Sequence, residues 1–281
     1  MPNSIFENML SQYSLTTKEE KDNATHEVTQ QIALAGLYKA GFFEKAAFYG
    51  GTCLRIFHGL QRFSEDMDFS LLQADEDFRL ENYFDAIITE FKSLGRDVVI
   101  THKEKKTQTN VESAFLKDNT EIYNLAFSTE KHMKIKIEVD TQPPLGFSTE
   151  NKLLLLPFSF MVRCYALSDL YAGKMYAMLF RNWKSRVKGR DWYDFEWYVR
   201  NNIALNFNHL QQRAEQLNSI KAEDFTPTNF KALLKERISQ TDIKMVKNDV
   251  RPFIKNPAEM DIWSTEYFLQ LVDMIQSHNA S

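Results

Sequence analysis

Cysteine and glycine are both scarce in this sequence of 281 residues. Its only cysteines, Cys53 and Cys164, are far apart in the sequence and flanked by apolar residues. They cannot form a metal site alone, so we interpret them as buried free thiols in a reducing cytosol. The sequence has nine glycines and seven prolines and lacks low-complexity tracts and repeats. A 43% hydrophobic and 26% charged composition is therefore that of an ordinary globular protein.

Long apolar runs and an excess of positive charge are also missing. No stretch approaches the roughly 18 apolar residues that a membrane-spanning helix needs. The N-terminal MPNSIFENML has no basic start followed by an apolar run, unlike a signal peptide. We therefore expect a cytoplasmic protein without a membrane partner. The net charge of −4 means that any nucleic-acid contact must come from a local basic patch.

The stretch from Phe48 to Leu72 carries the clearest pattern in the chain. An apolar lead-in at 46–49 predicts a strand, which Gly50-Gly51-Thr52 interrupts. Thr52 is predicted to cap a short helix that stops at Gly59. Glycine lets the backbone approach an anion closely, and a helix N-terminus offers free N–H groups. This turn is therefore a candidate phosphate-binding site.

A second strand is predicted just after that helix. Residues 66–71 alternate with a period of two, which places Asp66, Asp68 and Ser70 on one face. The two carboxylates lie about 7 Å apart along such a strand. Carboxylate oxygens suit Mg²⁺, which usually bridges carboxylates to the phosphates of a substrate. The turn and the strand together predict a magnesium–phosphate site.

Helices and strands alternate through the rest of the N-terminal half. Thr17-Lys18-Glu19-Glu20 has the spacing of a capping box and predicts a helix to about Lys39. Apolar spacing predicts another helix over 81–94. Strands are predicted over 98–100, 111–116, 121–128 and 133–140, with a tight turn at 117–119. In the last strand Glu138 and Asp140 share one polar face, and the pattern alone does not separate them.

The C-terminal half is predicted to be helical. Ser168-Asp169 should cap a helix that carries Lys174 two turns in. Further helices are predicted over about 206–218, 226–239 and 260–278. The densest basic cluster of the chain is Arg181, Lys184, Arg186, Lys188 and Arg190. On a negatively charged chain, this cluster is the candidate binding site for a polyanion.

These motifs resemble two signatures of the DNA-polymerase-beta-like nucleotidyltransferases, in the AbiEii/AbiGii toxin branch. The first is GGT-x-L-R…R-x-S-E-D-x-D-F, which here extends from Gly50 to Phe69. The second combines the helix that carries Lys174 with K-G-R-D-x-Y-D, which here extends from Lys188 to Asp194. The resemblance covers about Tyr49 to Tyr198.

The resemblance implies an α+β fold, in which a nucleotidyltransferase-type mixed sheet with flanking helices precedes a mainly helical C-terminal region. We expect a catalytic domain over 1–165 and a helical domain over 166–281. The second domain is expected to contribute Lys174 and Asp191 to the cleft.

The resemblance also implies roles for individual residues. Metal ligands are expected at Asp66, Asp68 and Glu138, with Asp140 as the alternative third carboxylate. The expected catalytic set is Asp66, Asp68, Glu138, Lys174 and Asp191. The expected nucleotide-binding set is Gly50, Gly51, Thr52, Arg62, Ser64, Lys174 and Arg190. Asp191 would orient Lys174 or Arg190, or take part in deprotonating the acceptor.

The implied activity is Mg²⁺-dependent transfer of NMP from an NTP to an acceptor. In some relatives the acceptor is RNA, at the 3′ end of tRNA. The implied biological role is that of the toxin in a toxin–antitoxin or phage-defence pair, with a transcriptional repressor as the cognate antitoxin.

Two other functions stay open. One is a nucleotidyltransferase that acts on a small molecule, although a small cationic acceptor would prefer an acidic groove over the basic cluster. The other is a non-catalytic nucleotide- or partner-binding module. The intact Asp66, Asp68, Lys174 and Asp191 argue against it, because a degenerate site usually loses a carboxylate.

Overall fold

A computed structural model describes residues 4–102, 120–127, 134–144, 146–181, 187–217 and 219–278. The chain forms two compact units. The first consists of Met1–His58, Ser64–Pro143 and Thr149–Cys164. The second consists of Gly59–Phe63, Pro144–Ser148 and Tyr165–Ser281. The division into folding domains at residue 165 stays a prediction.

The first unit is built on a mixed sheet. Its strands are β1 (Ala46–Tyr49), β2 (Met67–Leu71), β3 (Val98–His102), β4 (Thr120–Phe127), β5 (Lys134–Asp140), β6 (Thr149–Leu154) and β7 (Phe160–Tyr165). The seven strands lie in the order β3-β4-β5-β2-β1-β7-β6. Strand β2 pairs antiparallel with β1 and parallel with β5. This arrangement confirms the predicted mixed sheet.

Four helices belong to the described part of this unit: α1 (Ile5–Leu10), α2 (Lys18–Lys39), α3 (Gly50–His58) and α4 (Phe84–Ser93). The capping box of α2 is confirmed, because the Glu20 amide donates to the Thr17 hydroxyl and the Thr17 amide donates to the Glu20 carboxylate. The helix predicted over 81–94 is instead a 3₁₀ turn at Leu80–Tyr83 followed by α4.

Aromatic packing fixes the register of the central strands. Phe69 of β2 is buried, and its ring centre lies 5.0 Å from those of both Phe42 and Phe48. Met67 and Leu71 are buried beside it. A slip of one residue would move all three apolar side chains to the other face. The polar residues of β2 are thereby held on the opposite face.

The second unit is helical, as predicted. Its helices are α5 (Leu167–Phe180), α6 (Gly189–Arg200), α7 (Phe207–Gln216), α8 (Pro227–Ser239), α9 (Ile243–Val250) and α10 (Thr265–Met274). Two short strands, β8 (Leu205–Asn206) and β9 (Ser277–His278), pair parallel. Helix α9 was not predicted, and the helix predicted over 260–278 is shorter.

One predicted helix cap is wrong. Helix α5 begins after Ala166, not at Ser168-Asp169. The Asp169 carboxylate is buried and accepts the Ser148 amide at 2.8 Å and the Asn206 side chain at 2.6 Å. Asp169 therefore joins three segments of the second unit through buried hydrogen bonds.

Several predictions concern other parts of the chain. The strand at 111–116, the turn at 117–119, Lys184 and Arg186 lie outside the described residues. Cys53 and Cys164 are buried free thiols, as expected. Among the helices of the described ranges, none has the length and hydrophobicity of a membrane span.

Candidate active site

Asp68 and Glu138 are direct partners on the neighbouring parallel strands β2 and β5. Neighbouring strands lie about 4.8 Å apart, and paired residues point to the same face. The two carboxylates therefore lie side by side. Asp140 pairs with Ser70 instead, and its carboxylate accepts the Gln142 amide at 3.1 Å. The register thus favours Glu138 over Asp140 as the partner of Asp68.

Lys136 supplies a positive charge on this acidic face. It lies two residues before Glu138 on β5, and its ammonium forms an ion pair with the Glu138 carboxylate. Burial alone would lower the pKa of Lys136, but Glu138, Asp66 and Asp68 hold that pKa above its ordinary value. The lysine is therefore charged at neutral pH. A cation already neutralises part of the acidic face.

Gly50 lies against the carboxylate of Asp68. Its φ of 82° falls in the left-handed region, which favours glycine. A Cβ at this position would lie 2.3 Å from Oδ2 of Asp68. The missing side chain therefore lets the carboxylate reach the backbone at the N-terminus of α3. The close approach of an anion expected at this turn is present, and the anion is Asp68.

Hydrogen bonds fix the segment that precedes β2. Thr52 is fully buried, and its hydroxyl donates to the carbonyl of Asp66. The side-chain amide of Gln30 donates to the carbonyls of Ser64 and Glu65, both at 3.0 Å. The prediction that Thr52 caps α3 is wrong, because the helix begins at Gly50. Thr52 instead fixes the backbone of Asp66.

The donor set of this face suits a hard cation. Asp68 and Glu138 are adjacent, and Asp66 is close enough to influence the charge of Lys136. Among the described residues, no three His, Cys, Asp or Glu side chains are arranged to hold a metal ion. Mg²⁺ commonly uses only one or two carboxylates and takes its other ligands from water and substrate phosphates. The residues present therefore fit a Mg²⁺ ion that binds together with a triphosphate.

The second unit contains a buried chain of alternating charges. Arg62 donates from Nε and Nη2 to the two oxygens of Asp194, each at 2.6 Å, and from Nη1 to the carbonyl of Phe63. Nζ of Lys174 lies 2.8 Å from Asp194 and 2.7 Å from Asp191. The order Arg62–Asp194–Lys174–Asp191 therefore pairs every buried charge with an opposite one.

These ion pairs fix the charge states of the network. Burial alone would raise the pKa of Asp191, but Lys174, Lys188 and Arg181 hold that pKa well below its usual range. Burial alone would lower the pKa of Lys174, but Asp191 and Asp194 hold it above its ordinary value. Asp191 is thus a weak base. Its geometry favours the orienting role over deprotonation of the acceptor.

Basic side chains surround the start of α6. Burial, partly offset by Asp191, lowers the pKa of Lys188 to about 8, and the charges of Arg181, Lys174 and Arg190 act in the same direction. The guanidinium of Arg190 lies 4.2 Å from the ring centre of Phe253. The described members of the basic cluster are therefore close enough to influence one another electrostatically.

The structure groups the predicted residues within each unit. The first unit brings Asp68 together with Glu138 and Gly50, and the second brings Lys174 together with Arg62 and Asp191. Two further residues were not predicted as site residues, namely Asp194 and Lys136. Both had a signal in the sequence: Asp194 ends the K-G-R-D-x-Y-D motif, and Lys136 shares the polar face of Glu138.

Comparisons with known proteins identify a family and similar structures. The model of the family described as nucleotidyl transferase AbiEii toxin, type IV toxin–antitoxin system, matches residues 32–270. The crystal structure of JHP933 from Helicobacter pylori is similar, with a TM-score of 0.51 and 17% identity over 90% of this chain and 89% of that chain. MenT4, a nucleotidyltransferase toxin from Mycobacterium tuberculosis, has a TM-score of 0.48 and 15% identity over 96% of this chain and 99% of that chain.

The curated proteins contain no match to this sequence. The family match covers most of the chain and includes both signatures, so it confirms the resemblance. The likeness to JHP933, at its low identity, supports the fold. The chain therefore belongs to the nucleotidyl transferase AbiEii toxin family of type IV toxin–antitoxin systems.

Proposed function

We propose that this protein is a Mg²⁺-dependent toxin that transfers NMP from an NTP to an RNA acceptor. One observation carries the proposal: Asp68 and Glu138 are register partners, and Asp68 lies against the backbone of Gly50. Paired carboxylates beside a glycine turn at a helix start suit a metal-bound triphosphate. Family membership supplies the reaction class.

The reaction is a displacement at phosphorus. A hydroxyl oxygen of the acceptor bonds to the α-phosphorus, the bond from that phosphorus to the bridging oxygen breaks, and pyrophosphate leaves. Asp66, Asp68 and Glu138 would hold Mg²⁺. The bound ion would offset the phosphate charge and stabilise the leaving group. The proton of the acceptor hydroxyl passes to a carboxylate of this set or to water.

Other residues of the chain bind and orient the nucleotide in this proposal. The amides of Gly50 and Gly51, at the start of α3, donate to phosphate oxygens. Lys174 contributes positive charge, and Asp191 holds its ammonium in place. Arg62 acts through the buried network, because Asp194 occupies its guanidinium. Ser64 and Arg190 stay predictions as nucleotide contacts, and Thr52 contributes by fixing Asp66.

The basic cluster supports RNA as the acceptor. Lys188 and Arg190 lie at the start of α6, and Arg181 is close enough to influence the pKa of Lys188. Positive side chains on a chain of net charge −4 provide the local attraction that a phosphate backbone needs. A tRNA 3′ end is the acceptor that we test first. A separate antitoxin, which acts as a transcriptional repressor, completes the proposed pair.

Labelled nucleotides test the proposal directly. The purified protein is incubated with each α-³²P-labelled NTP, Mg²⁺ and total cellular RNA. Asp68→Asn is assayed beside the wild type, with the exposed Asp97→Asn as the matched control. We expect label on a tRNA-sized band with the wild type and the control, and at least a hundredfold less with Asp68→Asn.

Other patterns would select the alternative functions. Label that appears only when small cationic molecules are added would indicate a small-molecule nucleotidyltransferase. Binding of Mg²⁺–NTP without transfer to any acceptor would indicate a binding module. Equal labelling by the wild type and Asp68→Asn would show that the assignment of Asp68 is wrong.

A further inference from the structure

We propose that Asp194 is a positioning residue for phosphate binding. It fixes the orientation of the Lys174 ammonium and the net charge of the groups around it. This inference rests on the proposed function, because it concerns how Lys174 meets the triphosphate. The sequence patterns single out Lys174 and Asp191 as reactive-site residues but leave Asp194 without a role.

Both oxygens of Asp194 are occupied by cations. Oδ1 accepts Nε of Arg62 at 2.6 Å, while Oδ2 accepts Nη2 of Arg62 at 2.6 Å and lies 2.8 Å from Nζ of Lys174. The Asp194 side chain has 0% exposure and that of Arg62 has 2%. A bidentate arginine–carboxylate pair has a defined geometry, and breaking a buried pair leaves a costly uncompensated charge. Asp194 is therefore held firmly.

Asp194 and Asp191 orient the ammonium of Lys174 together. They are three residues apart on α6, so both project from the same helix face. Their oxygens lie 2.8 Å and 2.7 Å from Nζ, which accounts for two of its three N–H groups. Within the described ranges the third N–H has no partner. The Lys174 side chain keeps 13% exposure, so an incoming phosphate oxygen can reach it.

Arg62 prevents the two carboxylates from cancelling the charge of Lys174. Without it, Lys174 would face Asp191 and Asp194 alone, and the trio would carry a net charge of −1. With Arg62 paired to Asp194, the charges of the four groups sum to zero. Only the charge of Asp191 then remains to neutralise Lys174. The amide of Phe63, next to Arg62, donates to the carbonyl of Phe253 at 2.8 Å and anchors this segment. The network thus keeps a cation available to an anion.

A double-mutant cycle separates positioning from a general structural role. Asp194→Glu keeps the charge but moves the carboxylate by one methylene. We expect kcat for NMP transfer to fall at least tenfold, with KM for the NTP changed less than twofold. A small displacement of the Lys174 ammonium should weaken mainly its interaction with the transition state. In a Lys174→Met background, Asp194→Glu should lower kcat no further. Asp261→Glu, at an exposed aspartate of the second unit, is the matched control.

Binding of inorganic tripolyphosphate gives a second readout that needs no turnover. Lys174→Met should weaken its affinity about tenfold, since a charge-assisted hydrogen bond is lost. Asp194→Asn should strengthen the affinity, because Arg62 then adds a net positive charge beside Lys174. Should the Asp194 variants fail to fold, Arg62→Lys, which keeps the charge and loses the bidentate geometry, replaces them in the same cycle.

Two results would overturn the inference. The first is an equal loss of kcat from Asp194→Glu with and without Lys174. The second is unchanged tripolyphosphate affinity in Lys174→Met. If the wild type labels no acceptor, the proposed function fails and the tripolyphosphate measurement alone tests the inference: weaker binding by Lys174→Met together with tighter binding by Asp194→Asn supports it, and any other pattern overturns it.

Discussion

At the scale of single residues, the acidic face depends on close contacts of small groups. Gly50 has no side chain, so the Asp68 carboxylate can lie on its backbone. Thr52 fixes the carbonyl of Asp66, which lies two residues before Asp68 in the chain. Side-chain size and one hydroxyl therefore control where the predicted metal ligands lie. Neither residue needs to contact the nucleotide to matter for the reaction.

Replacing Gly50 with alanine tests this contact. The new Cβ would lie 2.3 Å from Oδ2 of Asp68, and the movable carboxylate is the group that must shift. We expect transferase activity to fall at least tenfold, while left-handed strain lowers the free energy of unfolding by about 1 kcal/mol. Gly95→Ala is the control, since Gly95 has a φ of 73° and none of the described residues lies within 4 Å of its added Cβ. Equal activity losses in the two variants would contradict the expectation.

Lys136 offers a second test on the same face. Its ammonium pairs with Glu138 and lies in the field of Asp66 and Asp68, so it competes with a metal ion for these carboxylates. At an effective dielectric constant near 20, removal of such a charge is worth about 1 kcal/mol or more. Lys136→Met should therefore bind Mn²⁺ or Mg²⁺ about threefold to tenfold more tightly, as titration calorimetry would show.

The matched control for Lys136 is the next lysine on its strand face. Lys134 is exposed and lies two residues before Lys136 on β5, and is therefore farther from Glu138 along the strand. Lys134→Met removes the same charge without breaking the ion pair. Metal affinity that rises equally in both variants would indicate a general effect of net charge, and affinity that does not rise in Lys136→Met would contradict the expectation.

At the scale of elements, sequence patterns predicted the features that depend on interactions between neighbouring residues. The capping box at Thr17 and the alternation of β2 and β5 involve neighbouring residues, and the structure confirms these elements. The order of the strands could not be derived from those patterns. The pairing of Asp68 with Glu138 joins residues far apart in the chain, so only the resemblance, not periodicity, pointed to it.

The features of the second unit that the sequence did not predict depend on contacts or lengths that sequence patterns do not show. Ser168-Asp169 has good capping residues, but tertiary hydrogen bonds to Ser148 and Asn206 take the Asp169 carboxylate. Helix α9 has only eight residues, too few for a strong periodic signal. The role of Asp194 depends on Arg62, which lies 132 positions away in the sequence. Sequence patterns do not show such long-range partners.

Two helical glycines make a matched test of how α9 packs on α6. A Cβ at Gly189 would lie 2.2 Å from the carbonyl oxygen of Val246, and backbone cannot move aside cheaply. We expect Gly189→Ala to lower the free energy of unfolding by about 3 kcal/mol, typical of overpacking. Gly173 on α5 has no contact within 4 Å of its added Cβ from the described part of the chain.

Gly173→Ala should therefore raise the free energy of unfolding by about 0.5 to 1 kcal/mol, since alanine favours the helix. Urea unfolding followed by circular dichroism measures both variants. These two chemically identical substitutions are expected to change the free energy of unfolding in opposite directions. Destabilisation of similar size at both positions would contradict the close approach of α9 to α6.

At the scale of the whole molecule, charge is distributed differently in the two units. The first presents carboxylates on one face of its sheet, with Lys136 as a partial counter-charge. The second buries a neutral chain of ion pairs and has basic residues near the start of α6. An overall charge of −4 conceals this separation. The total is therefore a poor guide to which ligands the protein attracts.

Buried neutral histidines make the protein less stable in acid. Burial, with the nearby charge of Arg213, lowers the pKa of His209 to about 3. Burial, with Lys152, lowers the pKa of His58 to about 4. Both groups take up a proton more readily when unfolded. Their contribution to stability is therefore complete above an unfolded pKa of about 6.5 and is lost as pH falls towards the folded values.

Replacing His209 with phenylalanine tests this linkage. The ring lies edge-on to Phe147 and Tyr165, with centroids 6.2 and 6.3 Å away, so an aromatic replacement suits the site. Each proton gained only on unfolding costs about 1.4 kcal/mol per pH unit below 6.5. Urea unfolding of the wild type should show the free energy of unfolding falling from pH 6.5 to pH 5. His209→Phe should show a shallower fall, with the remaining slope from His26, His58 and the carboxylates. Parallel profiles for the two proteins would mean that His209 takes up its proton equally well in the folded state.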